Sequence, residues 1–334
     1  MASSKKKILI LGASSFAGSH FINDALKKNH QVVGISRSFK KNKNLIPYSK
    51  NKNLSNLNIY KLDLNKNLNS ILNIILNFKP SIIIDFAGQG MVAQSFNNPE
   101  QWYQTNVISK IKLYKSISKI KYIEKYIKIS TPEVYGTSKI KIKESFNYNP
   151  SSPYAASHAA IDSYLKVLHN YNSFPVIFAR FANFYGPYQQ SYRLIPNLII
   201  KILNNKEKFI LEGSGRDKRA FIHNKDISSA LFSIINKGKI GKVYHFSPEK
   251  IYSIIDIVKI ICNLMNADFN EFVKFGKARK LSDAMYFMQT KNSTNELNWK
   301  NLVNIEKGIN ETIKYVRKNI YSINKEGLVY IHKK

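Results

Sequence analysis

A hydroxyl, a carboxylate and a phenol stand close together in this chain. Thr131 and Glu133 lie in Ser130-Thr131-Pro132-Glu133-Val134-Tyr135-Gly136, and Tyr154 opens Tyr154-Ala155-Ala156-Ser157-His158. The first segment ends an apolar run, Tyr126-Ile127-Lys128-Ile129, and the second begins an amphipathic helical stretch. A phenol can take the proton of an alcohol while a neighbouring hydroxyl shares it, if a nicotinamide accepts the hydride. A carboxylate beside them adds a second proton transfer, the one that eliminating water requires. Oxidation of an alcohol coupled to loss of water is the chemistry these residue types suggest.

Such groups must be held by a scaffold, and the apolar runs describe one. Lys7 to Leu11 is a short β-branched and leucine run that ends at Gly12-Ala13-Ser14-Ser15-Phe16-Ala17-Gly18. Phe21, Ile22, Ala25 and Leu26 then share one face of a helix. Further strand-like runs fall at Gln31–Ser36, Leu57–Leu62, Ser81–Phe86, Ile127–Ser130 and Val176–Arg180, with helical text between the later ones. Alternation of this kind predicts an α/β fold with a doubly wound parallel sheet. From Phe181 the elements shorten: helices at Leu194–Asn204, Asp226–Asn236, Ile254–Met265 and Glu306–Lys318, and a turn at Gly213-Ser214-Gly215. The expected division is a dinucleotide-binding domain over 1–180 and a mainly substrate-binding lobe over 181–334. One strand near 242–247 is expected to return to the sheet. The Lys/Asn-rich stretch from Ser38 to Asn56 reads as a mobile surface loop, and the residues from Ser322 onward are left unassigned.

Composition bounds the rest. A chain of 334 residues with 44% hydrophobic content can build a large core and is not a disordered chain. Its one cysteine, Cys262, permits no internal disulfide and no Cys-based zinc site, as expected in a reducing cytoplasm. The segment Lys5-Lys6-Lys7 followed by Ile8 to Leu11 mimics a signal peptide, but its apolar part is too short. No apolar run approaches the roughly 20 residues of a membrane span. A cytoplasmic protein without a membrane partner is expected. The net charge of +31 would suit a nucleic-acid surface, yet the lysines are scattered through every segment beside Asn and Ile. They read as solvated faces, not as a nucleic-acid site.

The glycine-bearing turn after the first run suits a pyrophosphate, because backbone N–H groups and the positive end of the next helix face it. Taken together, the motifs resemble the extended short-chain dehydrogenase/reductase family, and within it the nucleotide-sugar 4,6-dehydratases. The resemblance spans roughly residues 6 to 318. It implies a Rossmann domain with a smaller C-terminal lobe, a bound NAD(P) and a nucleotide diphosphate sugar as substrate. It also implies a homodimer paired through the helices around Asn98–Lys119 and Tyr154–Tyr171.

Residue by residue, the resemblance gives the turn Gly12, Ser15, Phe16, Ala17 and Gly18 to the cofactor, with Ser15 where the family has its middle glycine. Arg37 ends the second strand where an acid would bind the ribose of NAD, so NADP is expected, with NAD second if Arg37 is a solvated loop residue. Asp63 and Leu64 match the adenine contact, although an isolated Asp after a strand is also a common helix cap. Ala87 and Gln89 match the small-residue turn beside the cofactor. Tyr154 and His158 match the tyrosine and lysine of the Tyr-x-x-x-Lys motif, with histidine in place of lysine. Imidazole on the same helix face could hold the ribose, and would lower the phenol pKa only if protonated.

Thr131 and Glu133 match the active-site threonine and glutamate, while Pro132 replaces the aspartic acid of the glucose-type enzymes. GDP-mannose-type members also lack that acid, so Glu133 alone is expected to handle the C5 proton and the leaving water. Asn183, Arg219 and Arg279 match groups that reach the sugar diphosphate, and a guanidinium suits a bidentate phosphate clamp. The expected reaction is 4,6-dehydration by internal hydride transfer. The alternatives are a 4-epimerase or uronate decarboxylase of the same fold, or a sugar-nucleotide binder that has lost catalysis.

Overall fold

The computed structural model describes residues 5–277 and 285–332. Seven strands build the central sheet: β1 (Lys7–Leu11), β2 (Gln31–Ser36), β3 (Leu57–Lys61), β4 (Ile82–Asp85), β5 (Lys125–Ser130), β6 (Val176–Phe181) and β7 (Val243–Phe246). Every neighbouring pair is parallel, in the order β7-β6-β5-β4-β1-β2-β3. A parallel sheet is covered on both faces, which is why its inner strands are continuous Ile/Val/Leu runs rather than alternating ones. Ile8, Leu9 and Ile10 of β1 and Ile82, Ile83 and Ile84 of β4 are all fully buried.

The longer helices are α1 (Phe16–Lys27), α2 (Leu68–Phe78), α3 (Ser109–Ile117), α4 (Pro153–Asn172), α5 (Leu194–Asn204), α6 (Asn224–Lys237), α7 (Ile254–Met265) and α8 (Ile305–Asn324). Phe21 and Ile22 of α1 and Leu231 and Ile234 of α6 pack on one face of the sheet. Ile71 and Ile75 of α2, Leu113 and Ile117 of α3, and Ile161 and Leu165 of α4 cover the other. A separate core joins α5, α7 and α8 through Leu198, Ile199, Ile257, Ile261, Ile309 and Ile313. The crossing from β1 into α1 and from β5 toward α4 places both chemical segments at the C-terminal edge of the sheet, where open α/β sheets bind ligands.

Three stretches differ from the sequence expectations. The segment after β2 is packed rather than loose: Leu45 and Tyr48 are buried, and Asn51 and Asn53 donate to the carbonyls of Asn23 and Leu26. Two apolar anchors outweigh the surrounding lysines and asparagines. The helix expected around Asn98–Lys119 is interrupted by a π-helical turn at Gln104–Ile108 between Pro99–Tyr103 and α3. The last helix runs past Lys318 to Asn324, carried by Ile323 against the C-terminal core. Among the described residues no helix is long and apolar enough to cross a membrane, and no three His, Cys, Asp or Glu side chains form a metal cluster.

Candidate active site

The turn after β1 is shaped by two glycines. Gly12 has φ +77°, and a Cβ there would lie 2.7 Å from the Ala87 nitrogen. A Cβ on Gly18 would meet the Gly12 carbonyl oxygen at 2.7 Å and the Ser15 Oγ at 2.8 Å. Only glycine permits this closeness of the β1 and β4 ends. Ser15 caps α1, its Oγ accepting from the Gly18 amide at 3.1 Å. The remaining first-turn amides of α1 lie at the positive end of the helix, as a pyrophosphate needs. Phe16 and Ala17 are buried in the first turn and secure α1 against the sheet. The residues present fit a dinucleotide.

Behind this turn a chain of polar contacts leads to α4. Arg37 donates to Gln89 Oε1 at 2.7 Å. The Gln89 amide donates to Asn106 Oδ1 at 2.7 Å, and Asn106 Nδ2 donates to the Gln89 carbonyl and to Ser157 Oγ on α4. Asn106 sits in the π-helical turn, a distortion that often marks functional sites. Nothing in its sequence context pointed to it. Asp63 Oδ1 accepts from the Asn65 amide at 2.7 Å, so the carboxylate caps the turn before α2. Leu64 packs against the sheet core beneath it.

At the chemical end, α4 begins where Ser152 accepts from the Ala155 amide and Pro153 takes the first helical position, whose N–H needs no partner. That start fixes Tyr154 in the first turn. Its phenol is hydrogen-bonded by Thr131, which tends to lower its pKa. Burial, and after it the charge of Glu133, outweigh that bond and hold the phenol well above its usual value, while Arg193 at the start of α5 pulls it down. Thr131 Oγ1 also accepts from the Glu133 amide at 3.2 Å, so one side chain orients both the carboxylate turn and the phenol. Thr131, Glu133 and Tyr154 are thus brought together. Arg193, absent from the sequence expectations, joins them through the folding of the second lobe.

His158 lies one turn below Tyr154, with ring centroids 4.8 Å apart, and is buried. Burial first, then the charges of Lys128, Lys110 and Arg180, push its pKa well below the ordinary imidazole value. The ring is neutral at neutral pH. It is not the cation that the resemblance places there: burial first, and then the charges packed around it, are the reason. Its Nδ1 finds no hydrogen-bond partner among the described residues.

Two buried ion pairs lie beneath the site. Lys110 Nζ is 2.7 Å from Asp85 Oδ2, and Arg180 is 3.2 Å from Asp162 Oδ2, which also accepts from Ser130 Oγ at 2.6 Å. Arg180 further donates to Tyr148, Tyr135 and the Ser145 carbonyl. Elsewhere burial pulls His20 and His223 down to about 4 and His245 to about 3. These three, with His158, remain neutral in the fold but take up protons when unfolded, near the usual 6.5. The unfolded chain therefore binds more protons below about pH 6.5, and stability falls as pH falls, by about 1.4 kcal/mol per unit for each ring. Urea midpoints should be level above pH 7 and drop steeply between about pH 6.5 and 4. A midpoint that stays level to pH 4 would contradict these neutral rings.

In the second lobe, Asn183 begins a short strand, Asn183–Tyr185, paired with Phe221–His223. Its Oδ1 accepts from the Tyr286 hydroxyl at 3.2 Å, and the Arg219 guanidinium stacks 4.6 Å from the Tyr286 ring. Tyr286 therefore ties two of the expected substrate residues together. The third, Arg279, lies outside the described residues.

A Rossmann sheet, a glycine-shaped turn at the first helix and a Thr-Glu-Tyr cluster at the strand ends define an extended short-chain dehydrogenase/reductase. The profile of the GDP-mannose 4,6 dehydratase family matches residues 9–312, and the chain belongs to that family. It is 28% identical to the human dTDP-D-glucose 4,6-dehydratase, over 95% of this chain and 91% of that protein. It is 27% identical to an Arabidopsis thaliana trifunctional enzyme, whose name begins with UDP-glucose 4,6-dehydratase, over 94% of this chain. The chain spans 47% of that longer protein. Among solved structures, dTDP-glucose 4,6-dehydratase from Bacillus anthracis in complex with NAD superposes with a TM-score of 0.85 at 26% identity. That match covers 96% of this chain and 99% of the other.

Proposed function

We propose that the protein is a nucleotide-sugar 4,6-dehydratase that forms a 4-keto-6-deoxy sugar nucleotide with a retained NAD(P). The observation that carries this reading is the Thr131–Tyr154 hydrogen bond with the Glu133 charge beside it. Tyr154, once ionised, takes the proton of the sugar C4 hydroxyl, and Thr131 holds the phenolate oxygen that receives it. NAD(P)+, held by the Gly12–Gly18 turn, would supply the hydride acceptor for oxidation at C4 and the donor for reduction at C6. Glu133 removes the C5 proton, made acidic by the new C4 ketone, and passes a proton to the departing C6 hydroxyl. Pro132 offers no second acid, so one carboxylate serves both transfers. Asn183, Arg219 and Arg279 hold the diphosphate, and the nucleotide-sugar names of the relatives support that substrate class. Incubation with a panel of nucleotide sugars, read by mass spectrometry, should find a product lighter by one water. An isomer of unchanged mass, loss of carbon dioxide, or binding without turnover would each replace this reading by one of its rivals.

The gap in acid at the end of β2 and the guanidinium of Arg37 favour NADP over NAD, although the Bacillus relative was solved with NAD. Protein purified and denatured should release a cofactor bearing the 2′-phosphate, and Arg37→Ala should weaken NADP binding about tenfold or more. Release of NAD, with NADP affinity unchanged in that variant, would assign NAD. The exposed Val167 and Tyr171 on the outer face of α4 suit the expected homodimer, which sedimentation would test.

A further inference from the structure

The described residues after α8 form neither helix nor strand and take no part in the proposed reaction, yet they are tied down along their length. Glu326 is 3.1 Å from Lys40 in the segment after β2. The next contacts fall on the second lobe. Ser191 Oγ donates to the Gly327 carbonyl, and Asn197 Nδ2 donates to the Leu328 carbonyl at 3.5 Å. The Tyr330 ring meets the Tyr192 ring edge-on, with centroids 5.2 Å apart. His332 then stacks on Trp102 at 5.2 Å, the ring planes 4° apart, and its Nε2 donates to Gln101 Oε1 at 2.6 Å. Leu328, Tyr330 and His332 are half-buried, while Val329 and Ile331 between them are exposed. That alternation is the mark of an extended chain laid along a surface.

The two end anchors stand on either side of the glycine-shaped turn. Lys40 lies three residues past Arg37 at the exit of β2. Gln101 and Trp102 lie one turn before Asn106, which bonds Gln89 at the exit of β4. Between β2 and β4 in the sheet is β1, which ends in the Gly12–Gly18 turn. Crossing from β2 to β4 takes two strand spacings, roughly 10 Å, and the six steps from Glu326 to His332 reach at most about 20 Å. Tyr330, on the way across, feels the charges of both Arg37 and Arg193, and Arg193 also acts on Tyr154. We propose that residues 326–332 form a strap over the mouth of the cofactor cleft, latched by His332 on Trp102, and that this strap slows release of the dinucleotide. Its hold is light enough to open. The Lys40–Glu326 pair is part-exposed and so contributes little, and of the apolar side chains only Leu328 packs on the second-lobe core. Such a segment opens locally while the fold around it stays closed.

The use of such a strap rests on the dehydratase reading, in which one cofactor gives back the hydride it takes, but its action needs only a bound dinucleotide. Ending the chain after Lys325 removes the strap and leaves α8, with Ile323 in its core, intact. Release of NADH and of NADPH is followed by stopped-flow fluorescence, with excess oxidised cofactor as the displacing agent. In the shortened chain it should be about tenfold faster or more. His332→Ala removes only the latch and should speed release about fivefold. His332→Phe keeps a ring on Trp102, loses the bond to Gln101 and should fall between His332→Ala and the natural chain. Val329→Ser, on the outward side, should leave release unchanged. The His332 variants carry the test if the shortened chain does not fold. Release at the natural rate in the shortened chain or in His332→Ala overturns the proposal. So does faster binding with unchanged release, which would put the segment inside the cofactor's own place. Faster release with no water lost from any nucleotide sugar upholds the strap and overturns the dehydratase reading.

Discussion

Glu133→Gln should abolish water elimination while leaving the oxidation of the sugar intact. The amide keeps the size of the carboxylate and its place after Thr131, whose Oγ1 accepts from the residue 133 amide. It cannot take the C5 proton. General acid–base groups contribute on the order of 10²–10⁴-fold, and in the proposed mechanism one group serves two transfers, so a loss near the upper end is expected. The phenol should gain from the change, because the Glu133 charge is the largest electrostatic influence raising its pKa. Reduced cofactor should therefore accumulate with substrate and persist, as 4-keto sugar that cannot lose water. Absorbance of the reduced nicotinamide with no dehydrated product is the signature. Turnover within threefold of the natural chain would remove Glu133 from the mechanism, a threshold far inside the ~10² floor for such groups.

The second large effect is on stability. Arg180→Met should cost about 3–5 kcal/mol, because it leaves the Asp162 carboxylate buried with Ser130 as its one remaining hydrogen-bond partner among the described residues. The loss is a large part of the 5–15 kcal/mol typical of a domain, so the variant should show a much lower urea midpoint. Pairing it with Asp162→Asn removes the orphaned charge and should recover more than half of the loss. The recovery is the decisive measurement. If the double variant is no more stable than Arg180→Met, the cost arises from lost packing against Tyr135 and Tyr148, over whose rings the guanidinium lies at 4.7 and 5.1 Å.

Much of the scaffold could be read from the chain because its inner strands are buried on both faces. Ile8 to Leu11, Ile82 to Asp85 and Val176 to Phe181 are unbroken buried runs, and their alternation with helices admits few other folds. Local signals also sufficed at helix starts, where Ser15 and Ser152 cap α1 and α4. They failed where composition and contact disagree. Leu45 and Tyr48 lie in lysine-rich text yet are buried, and the π-helical turn at Gln104–Ile108 leaves no mark in the hydrophobic pattern.

For the site, the sequence determined which residue types stand at the strand ends: Thr131, Glu133 and Tyr154, with a glycine turn before α1. The chemistry of those groups follows from their kind and their spacing along single elements. Their electrical state does not, because it depends on what other elements bring within a few ångströms. Sequence spacing placed His158 on the Tyr154 face, but only packing of β5, α3 and β6 beneath α4 made it neutral. In the same way Arg193 reaches Tyr154 from α5, and Asn106 joins Gln89 to Ser157, across separations no local pattern encodes. Charge interactions in a buried site act through space in a low dielectric, so the tertiary structure alone decides them.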